Sequence, residues 1–239
     1  SFISYKFVYI ILIMNIRLYH PDSILENTTS LLNKEQTHYV VNVMRLKRGA
    51  ILNFFNKNGE WKSEVIFLNK DRVEVKFLEK IKRSNDLSKI ELAICLIKKN
   101  PMETVLQKAT ELGVNKIIPI VSERTEIKEL NHDRAKRIVI EATEQSNQLE
   151  PPEIADVVKL KEFLKTFDET TKLLFADVNS KENLKAEDFK NFKSFCILIG
   201  PEGDFSPEER ESILKNRSVK PFTLSRNILR SDTAVISAI

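Results

Sequence analysis

The chain has 239 residues, of which 42% are hydrophobic and 30% charged, which is typical of a globular protein with one large or two modest domains. The formal net charge of +4 lies entirely in residues 1–80, which carry 12 basic and 8 acidic side chains, whereas the remainder carries 26 of each. This modest excess is consistent with a polyanionic partner and equally with a solvated surface, so charge alone does not decide between them.

The N-terminal stretch FVYIILIM, residues 7–14, is apolar but too short to span a bilayer. No small-residue cleavage site follows it, so neither a signal peptide nor a membrane partner is indicated. Met14 looks like a natural start, and we expect residues 1–13 to be upstream sequence or a non-native extension. At the other end, DTAVISAI has helical apolar spacing without a cap, as a helix cut short would have.

Residues 16–80 predict short strands around one helix. Apolar residues in KEQTHYVVNVMRL, residues 34–46, fall on one helical face. The β-rich stretches ILNFFN, WKSEVIFL and RVEVKFLEK are separated by the turn signals NKNG and NKD. We therefore expect a small β-barrel, followed by a polar linker in KIKRSNDLSK.

Strands and helices alternate in the rest of the chain. The predicted strands are 90–97, 116–121, 172–177, 195–200 and 222–225, and the predicted helices are 101–112, 131–147, 207–216 and one that starts at 232. Such alternation indicates a parallel sheet with helices on both faces. Ligands of these sheets bind beyond the carboxyl ends of the strands.

The two cysteines, Cys95 and Cys196, lie within apolar strands, which predicts buried free thiols in a reducing, cytoplasmic compartment. The three histidines are scattered and no CxxC occurs, so we expect no metal site.

The stretch ILIGPEGDFSPEE, residues 197–209, holds two of the five glycines of the chain, Gly200 and Gly203. Ser206, Pro207 and Glu209 form a capping-box pattern, so residues 200–205 are predicted to be a sharp strand-to-helix turn. Glycine there permits a positive φ or the close approach of a ligand, although an ordinary turn explains the pattern about as well. GxGxxG, GxxxxGK[ST] and GxSxG are absent, which argues against dinucleotide enzymes, P-loop ATPases and α/β-hydrolases.

The stretch LSRNILRSDTA, residues 224–234, also follows a predicted strand and opens a helix. Ser231 or Asp232 is the predicted N-cap, and Arg226 and Arg230 lie at the turn, either near backbone N–H groups or simply in solvent.

In the stretch 98–125, Pro101 is predicted to start a helix and Gly113 to end it. We expect four of its basic residues to cluster near one end of the sheet: Lys98, Lys99, Lys108 and Arg124.

Taken together, IGPEGDFSPEE, LSRNILRSDTA, QKATELGVNKIIP with SERT, and EATEQS resemble, in order and spacing, the RsmE family of SPOUT-class methyltransferases. Members of this family modify N3 of a uridine in the decoding region of 16S ribosomal RNA. The resemblance covers residues 15–239. It implies a PUA-like RNA-binding β-barrel at 14–80, a linker at 81–89 and a SPOUT domain, an α/β fold with a trefoil knot, at 90–239.

The resemblance also implies a homodimer that binds S-adenosylmethionine, acts on the small ribosomal subunit and needs no metal. The implied cofactor-binding residues are Ile199, Gly200, Pro201, Glu202, Gly203, Leu224, Ser225, Ile228, Leu229 and Arg230. Arg230 and Glu202 are the catalytic candidates: Arg230 would stabilise charge on the uracil, and Glu202 would position it or assist proton removal.

The segment THYVVNVMRLKRG matches the RNA-facing part of the family. The implied RNA-binding residues are His38, Arg45, Arg48, Lys98 and Arg124, although a lone histidine such as His38 could instead pack under the barrel.

The chain departs from the family pattern at several loop positions. Asp204 and Ser225 replace glycines, and Asn147-Gln148 replaces Gly-Arg. Two alternatives therefore stay open: a SPOUT methyltransferase that acts on another RNA, and a non-catalytic RNA-binding relative.

Overall fold

The computed structural model describes residues 16–83, 89–146, 148–168 and 170–239. Its contacts divide the chain into two compact units, the first ending at residue 84 and the second beginning at residue 85. The predicted extension 1–13, Asn147 and the centre of the predicted linker lie outside the described residues.

The first unit is a five-stranded, mostly antiparallel sheet. Its elements are β1 (Arg17–Tyr19), β2 (Thr29–Leu31), α1 (Lys34–His38), β3 (Ile51–Asn56), β4 (Gly59–Leu68) and β5 (Val73–Arg83). The strand order is β1-β3-β4-β5-β2, with β1 parallel to β3 and every other pair antiparallel. The sheet curls as a half-barrel around a core that includes Phe54, Val65 and Val75, which are fully buried.

The helix predicted within 34–46 is present, but it changes from α-helical to π-helical hydrogen bonding. A five-residue π-helical segment, Tyr39–Val43, continues α1 directly. The β3–β4 turn requires a glycine, because Gly59 has φ +147° and a Cβ there would lie 2.3 Å from the carbonyl oxygen of Lys82. The predicted linker 81–89 is too long: β5 runs to Arg83, because its polar end pairs with the start of β4, where Gly59 is opposite Arg83.

The second unit is a parallel sheet with helices on both faces. Its strands are β6 (Lys89–Cys95), β7 (Lys116–Val121), β8 (Glu153–Ile154), β9 (Val158–Lys159), β10 (Lys172–Ala176), β11 (Ser194–Ile199) and β12 (Val219–Phe222). Its helices are α2 (Lys99–Glu111), α3 (His132–Gln145), α4 (Leu160–Thr166), α5 (Pro207–Leu214) and α6 (Ser231–Ala238). The strand order is β12-β10-β11-β6-β7-β8, and β9 also pairs with β7.

Alternate residues of the central strands face opposite layers, as the two-residue period of a strand requires. In β6, Leu92 and Ile94 pack with α2, α3 and α6 on one face, whereas Ala93 and Cys95 pack with α4 and α5 on the other. This arrangement confirms the predicted α/β architecture. The trefoil knot implied by the resemblance stays a prediction.

Two elements that contain prolines differ in their bounds from the sequence prediction. The last strand lies at 219–222 and not at 222–225, because β12 is an edge strand and therefore accommodates Pro221, which cannot donate to a ladder. Helix α2 starts at Lys99, so Pro101 is its third residue, within the first turn where no intrahelical N–H bond is lost. Gly113 has φ +88° directly after the C-cap of α2, as predicted.

Candidate active site

The loops after β6, β7, β10, β11 and β12 all leave the carboxyl edge of the parallel sheet, where ligands of such sheets bind. The loop 200–206, between β11 and α5, lies at the centre of this edge. Ser206 Oγ accepts a hydrogen bond from the Glu209 amide and Glu209 Oε2 accepts one from the Ser206 amide, with Pro207 at the first helical position. The capping box predicted from the sequence is therefore confirmed.

The expected role of the glycines in this loop is partly wrong. The left-handed residue is Asp204, with φ +57°, and neither Gly200 nor Gly203 has a positive φ. Asp204 supports its own turn, because its Oδ1 accepts a 2.8 Å hydrogen bond from the Phe205 amide, and short polar side chains tolerate this backbone region.

The two glycines differ in their surroundings. A Cβ on Gly200 would lie 3.0 Å from Cε2 of the buried Phe205 ring, so a side chain at this position would require that ring to shift by a few tenths of an ångström. A Cβ on Gly203 would meet only Arg124 side-chain atoms, at 3.8 Å or more. Gly200 thus allows the Phe205 ring to pack closely against the backbone, whereas Gly203 keeps the loop surface open.

A cavity of about 90 Å³ lies beside this loop. Residues from three strand ends line it: Leu96, Ile97, Lys98, Arg124, Glu126, Ile127, Pro201, Glu202 and Gly203. The structure therefore brings together Lys98 and Arg124, which were predicted from the stretch 98–125, and Glu202, which was predicted from the stretch 197–209.

Lys108 does not belong to the expected basic cluster. It lies in the last turn of α2, ten residues and roughly 15 Å along the axis from Lys98, and its Nζ pairs with Glu111 at 2.8 Å. A helix of this length carries charges to both ends of the sheet, which local sequence spacing did not resolve.

Arg124 contacts the glycine loop directly. Its Nη1 donates to the carbonyl oxygen of Gly203 at 3.0 Å, although the side chain is largely exposed. The preceding amide, of Glu123, donates to Glu209 Oε1 at 2.8 Å. The loop after β7 is thus bonded at two consecutive residues, through Arg124 to the loop 200–206 and through Glu123 to the first turn of α5.

The second predicted loop, 224–230, joins the same edge. Ser231 Oγ lies 3.5 Å from the carbonyl oxygen of Gly200, which connects the start of α6 to the glycine loop. Ser225 has no positive φ, and its Oγ accepts a 3.0 Å hydrogen bond from the Asn227 amide. Leu224 and Leu229 are half-buried against the core, whereas Ile228 is 89% exposed.

Arg230 occupies the N-cap position of α6, so the expectation of Ser231 or Asp232 there is wrong. Its Nε lies 3.7 Å from Asp232 Oδ1, and its side chain is 75% exposed. The carboxylate of Asp232 also accepts a hydrogen bond from the adjacent Thr233 amide, and the Arg230 guanidinium is largely exposed to solvent.

Asp177, which directly follows β10, lies at the same edge of the sheet and was not among the residues predicted from the sequence. Its side chain is 1% exposed and accepts hydrogen bonds from Arg210 of α5, from Nε at 3.1 Å and from Nη2 at 2.8 Å. The available signal was an acidic residue at the end of the apolar strand KLLFA.

Both cysteines are buried, as predicted. Burial raises the pKa of the Cys95 thiol to about 12, and it raises the pKa of Cys196 as well. Neither is a nucleophile at neutral pH, because the thiolate is the reactive form. Within the described residues, no group of three or more His, Cys, Asp or Glu side chains could hold a metal ion, and no helix is long and apolar enough to cross a membrane.

The candidate RNA-binding residues of the first unit flank the π-helical segment: His38 lies directly before it, and Arg45 and Arg48 follow it. His38, Arg45 and Arg48 are exposed, so His38 does not pack beneath the sheet. Asn42 Nδ2 and His38 Nδ1 form a 3.0 Å hydrogen bond, and Arg45 has φ +51°. An irregular helix followed by a left-handed arginine is the kind of local strain often found at functional surfaces.

Matches to protein-family models define the class of enzyme to which the chain belongs. A family model for an RNA methyltransferase domain matches residues 83–239, and one for an RNA methyltransferase PUA domain matches residues 32–78. The first match covers more than half of the chain and defines it as an RNA methyltransferase.

Curated relatives narrow the class. The ribosomal RNA small subunit methyltransferase E of Rickettsia conorii is 32% identical over 93% of both chains, and that of Bacillus subtilis is 30% identical over 90% of this chain and 89% of its own. The chain belongs to the ribosomal RNA small subunit methyltransferase E family.

Two solved structures are similar throughout. The ribosomal RNA small subunit methyltransferase E of Neisseria gonorrhoeae, bound to S-adenosyl methionine, has a TM-score of 0.84 and 26% identity, with 93% of this chain and 94% of that chain covered. A putative methyltransferase of Legionella pneumophila, in complex with the cofactor SAM, has a TM-score of 0.82 and 31% identity, with 94% and 95% covered.

Proposed function

We propose that this protein transfers a methyl group from S-adenosylmethionine to N3 of a uridine in the decoding region of 16S ribosomal RNA, as a cytoplasmic enzyme of the small-subunit methyltransferase E type. One observation carries the proposal. The loops 200–206 and 224–230 meet at the carboxyl edge of the parallel sheet, with Ser231 Oγ 3.5 Å from the Gly200 carbonyl, beside a cavity that Lys98 and Arg124 line.

The residues present fit the cofactor. Gly203 keeps the first loop open, and the largely exposed Ile228 offers apolar surface on the second, as an adenosine ring requires. The carboxylate of Glu202 at the cavity suits the positive charge of a sulfonium group. When bound, S-adenosylmethionine supplies an electrophilic methyl group. We assign its binding to residues 199–203 and 224–230.

The chemistry requires a proton to leave uridine N3 and the nitrogen to align with the methyl group. Alignment by the two loops can supply roughly 7–11 kcal/mol in favourable cases. Arg230, whose guanidinium is exposed at the start of α6, is the candidate to stabilise negative charge that develops on the uracil oxygens. Glu202 is the candidate to orient Arg230 or to accept the proton.

Recognition of the RNA is assigned to both units. Lys98 and Arg124 at the cavity would contact the target nucleotide, and His38, Arg45 and Arg48 would contact phosphates or splayed bases elsewhere on the RNA. The net positive charge of residues 1–80 supports this division.

The departures from the family pattern do not favour a non-catalytic relative. Asp204 adopts the left-handed backbone that a glycine would, and Ser225 needs no such backbone. Both residues form hydrogen bonds that close their own turns, at 2.8 Å and 3.0 Å. The two loops therefore keep their shape without the missing glycines.

The homodimer is part of the proposal. Ile236, on α6, is 45% exposed, and burial of its apolar surface against a second subunit would stabilise the pair. Light scattering during size-exclusion chromatography should give twice the 27.7 kDa chain mass. A monomer at micromolar concentration would contradict this part of the proposal.

The activity is tested on small ribosomal subunits from cells that lack this protein. Incubation with S-adenosylmethionine should produce 3-methyluridine in 16S RNA, as detected by nucleoside mass spectrometry and mapped by fragment analysis. Methylation of a different base or a different RNA would favour the alternative SPOUT enzyme. Binding of RNA without any methyl transfer would favour the non-catalytic relative.

A further inference from the structure

The first turn of α5 is held from two sides by consecutive residues. Glu209 Oε1 accepts a 2.8 Å hydrogen bond from the Glu123 amide in the loop after β7, while Glu209 Oε2 accepts from the Ser206 amide. Arg210 donates to Asp177, at the end of β10, at 2.8 Å. The Glu209 carboxylate thus joins the start of α5 to the loop after β7, and the next side chain, Arg210, joins α5 to the end of β10.

The strand order shows which parts of the sheet these contacts connect. The strands run β10-β11-β6-β7, so the loop 200–206 after β11 lies between the ends of β10 on one side and of β6 and β7 on the other. Asp177–Arg210 ties α5 to the β10 side, and Glu209 reaches past the end of β6 to the β7 side. The helix start that carries the loop is therefore fixed across four strands of the sheet.

A further contact connects the loop after β7 to the loop 200–206 directly. Arg124, next to Glu123, donates to the Gly203 carbonyl at 3.0 Å. Below these residues, Ser122 and Thr125 are buried and bonded to each other at 2.8 Å, which makes the loop after β7 a firm support. Displacement of the Glu123 amide would therefore move the group that holds Gly203.

We propose that Glu209 is a positioning residue, which holds the loop 200–206 in the geometry that binds the cofactor by tying α5 to the loop after β7. This inference rests on the proposed function. Glu209 acts through the backbone of its neighbours and not on the reacting atoms. Misplacement of a positioned group by about 1 Å can cost a hundredfold in rate, so small shifts of this loop are consequential.

The competing explanation is that Glu209 serves only as the second member of the capping box of α5. Ser206→Ala is the matched control, because it removes the other half of the box and leaves the Glu209–Glu123 contact in place. Glu208→Ala is the neutral control, since Glu208 is exposed in the same turn. Glu209→Gln retains an oxygen that can accept from the Glu123 amide.

We expect Glu209→Ala to raise both the dissociation constant for S-adenosylhomocysteine and the KM for S-adenosylmethionine about tenfold, with the KM for the RNA unchanged. Ser206→Ala should lower the unfolding temperature similarly but change cofactor affinity less than twofold. Glu209→Gln should recover most of the affinity, and Glu208→Ala should match the parent. Equal losses of affinity in Glu209→Ala and Ser206→Ala, or no loss in Glu209→Ala, would overturn the proposal.

Amide hydrogen exchange of the ligand-free protein separates this inference from the proposed function. Glu209→Ala should accelerate exchange in both 200–206 and 122–127, whereas Ser206→Ala should accelerate it only around the start of α5. If the parent binds no S-adenosylhomocysteine, the proposed function fails. The exchange pattern still tests whether Glu209 holds α5 to the loop after β7. Unchanged exchange at 122–127 in Glu209→Ala would refute it.

Discussion

Gly200 and Gly203 allow a matched test of the glycine loop, because both have backbone angles open to any residue but different surroundings. In Gly200→Ala the new Cβ would lie 3.0 Å and 3.2 Å from two carbons of the Phe205 ring. That ring is 4% exposed and packs 5.7 Å, centroid to centroid, from the fully buried Phe175, so it cannot move aside freely.

The expected loss of stability in Gly200→Ala follows from this crowding. An extra methyl group in a packed core costs about 1–3 kcal/mol. For a domain of this size we expect Gly200→Ala to lower Tm by roughly 2–12 °C. Gly203→Ala makes only ordinary contacts of 3.8 Å or more with Arg124 and restricts the unfolded chain, so it should be neutral or stabilise by about 0.4–1 kcal/mol.

The assay combines thermal unfolding with calorimetric titration of S-adenosylhomocysteine. Gly200→Ala should lose stability and affinity together, whereas Gly203→Ala should lose affinity alone if the ligand packs against that backbone. Phe205→Leu added to Gly200→Ala should recover part of the stability, since the two residues are in contact. A Gly200→Ala protein as stable as the parent would refute the packing argument, and full affinity in Gly203→Ala would refute close ligand approach there.

Three other predictions concern charge and reactivity. Arg230→Ala should lower single-turnover methylation roughly a hundredfold with far less effect on cofactor affinity, and Arg230→Lys should recover only part of the rate; a parental rate would show that Arg230 is merely solvated. Reversal of Arg45 and Arg48 to Glu should weaken RNA binding and flatten its salt dependence while cofactor affinity is kept; equal loss of both would mean that the protein has unfolded. Because burial raises the pKa of Cys95 to about 12, a thiol reagent at pH 8 should label no cysteine in the folded protein and both in guanidinium; rapid labelling of the folded protein would contradict their burial.

Features that depend on neighbours within one helical turn were predictable from the sequence. Ser206, Pro207 and Glu209 indicated the start of α5, and Gly113 indicated the end of α2, because caps are formed by residues three or four positions apart. The alternation of apolar strands with helices indicated the parallel sheet. Cys95 and Cys196 lie within those apolar strands, which indicated that both are buried. The candidate loops followed, since ligands of such sheets lie beyond the strand ends.

The tertiary structure alone decided how those loops are held. The Arg124–Gly203 and Glu123–Glu209 contacts join residues 79 and 86 positions apart, and Asp177–Arg210 joins residues 33 apart. Such pairs depend on strand order, which places β7 two strands from β11 and which periodicity does not encode. The positive φ at Asp204 and the different surroundings of Gly200 and Gly203 are likewise features of the folded loop, so the sequence indicated where a candidate site would lie and the tertiary contacts determined which residues shape that edge of the sheet.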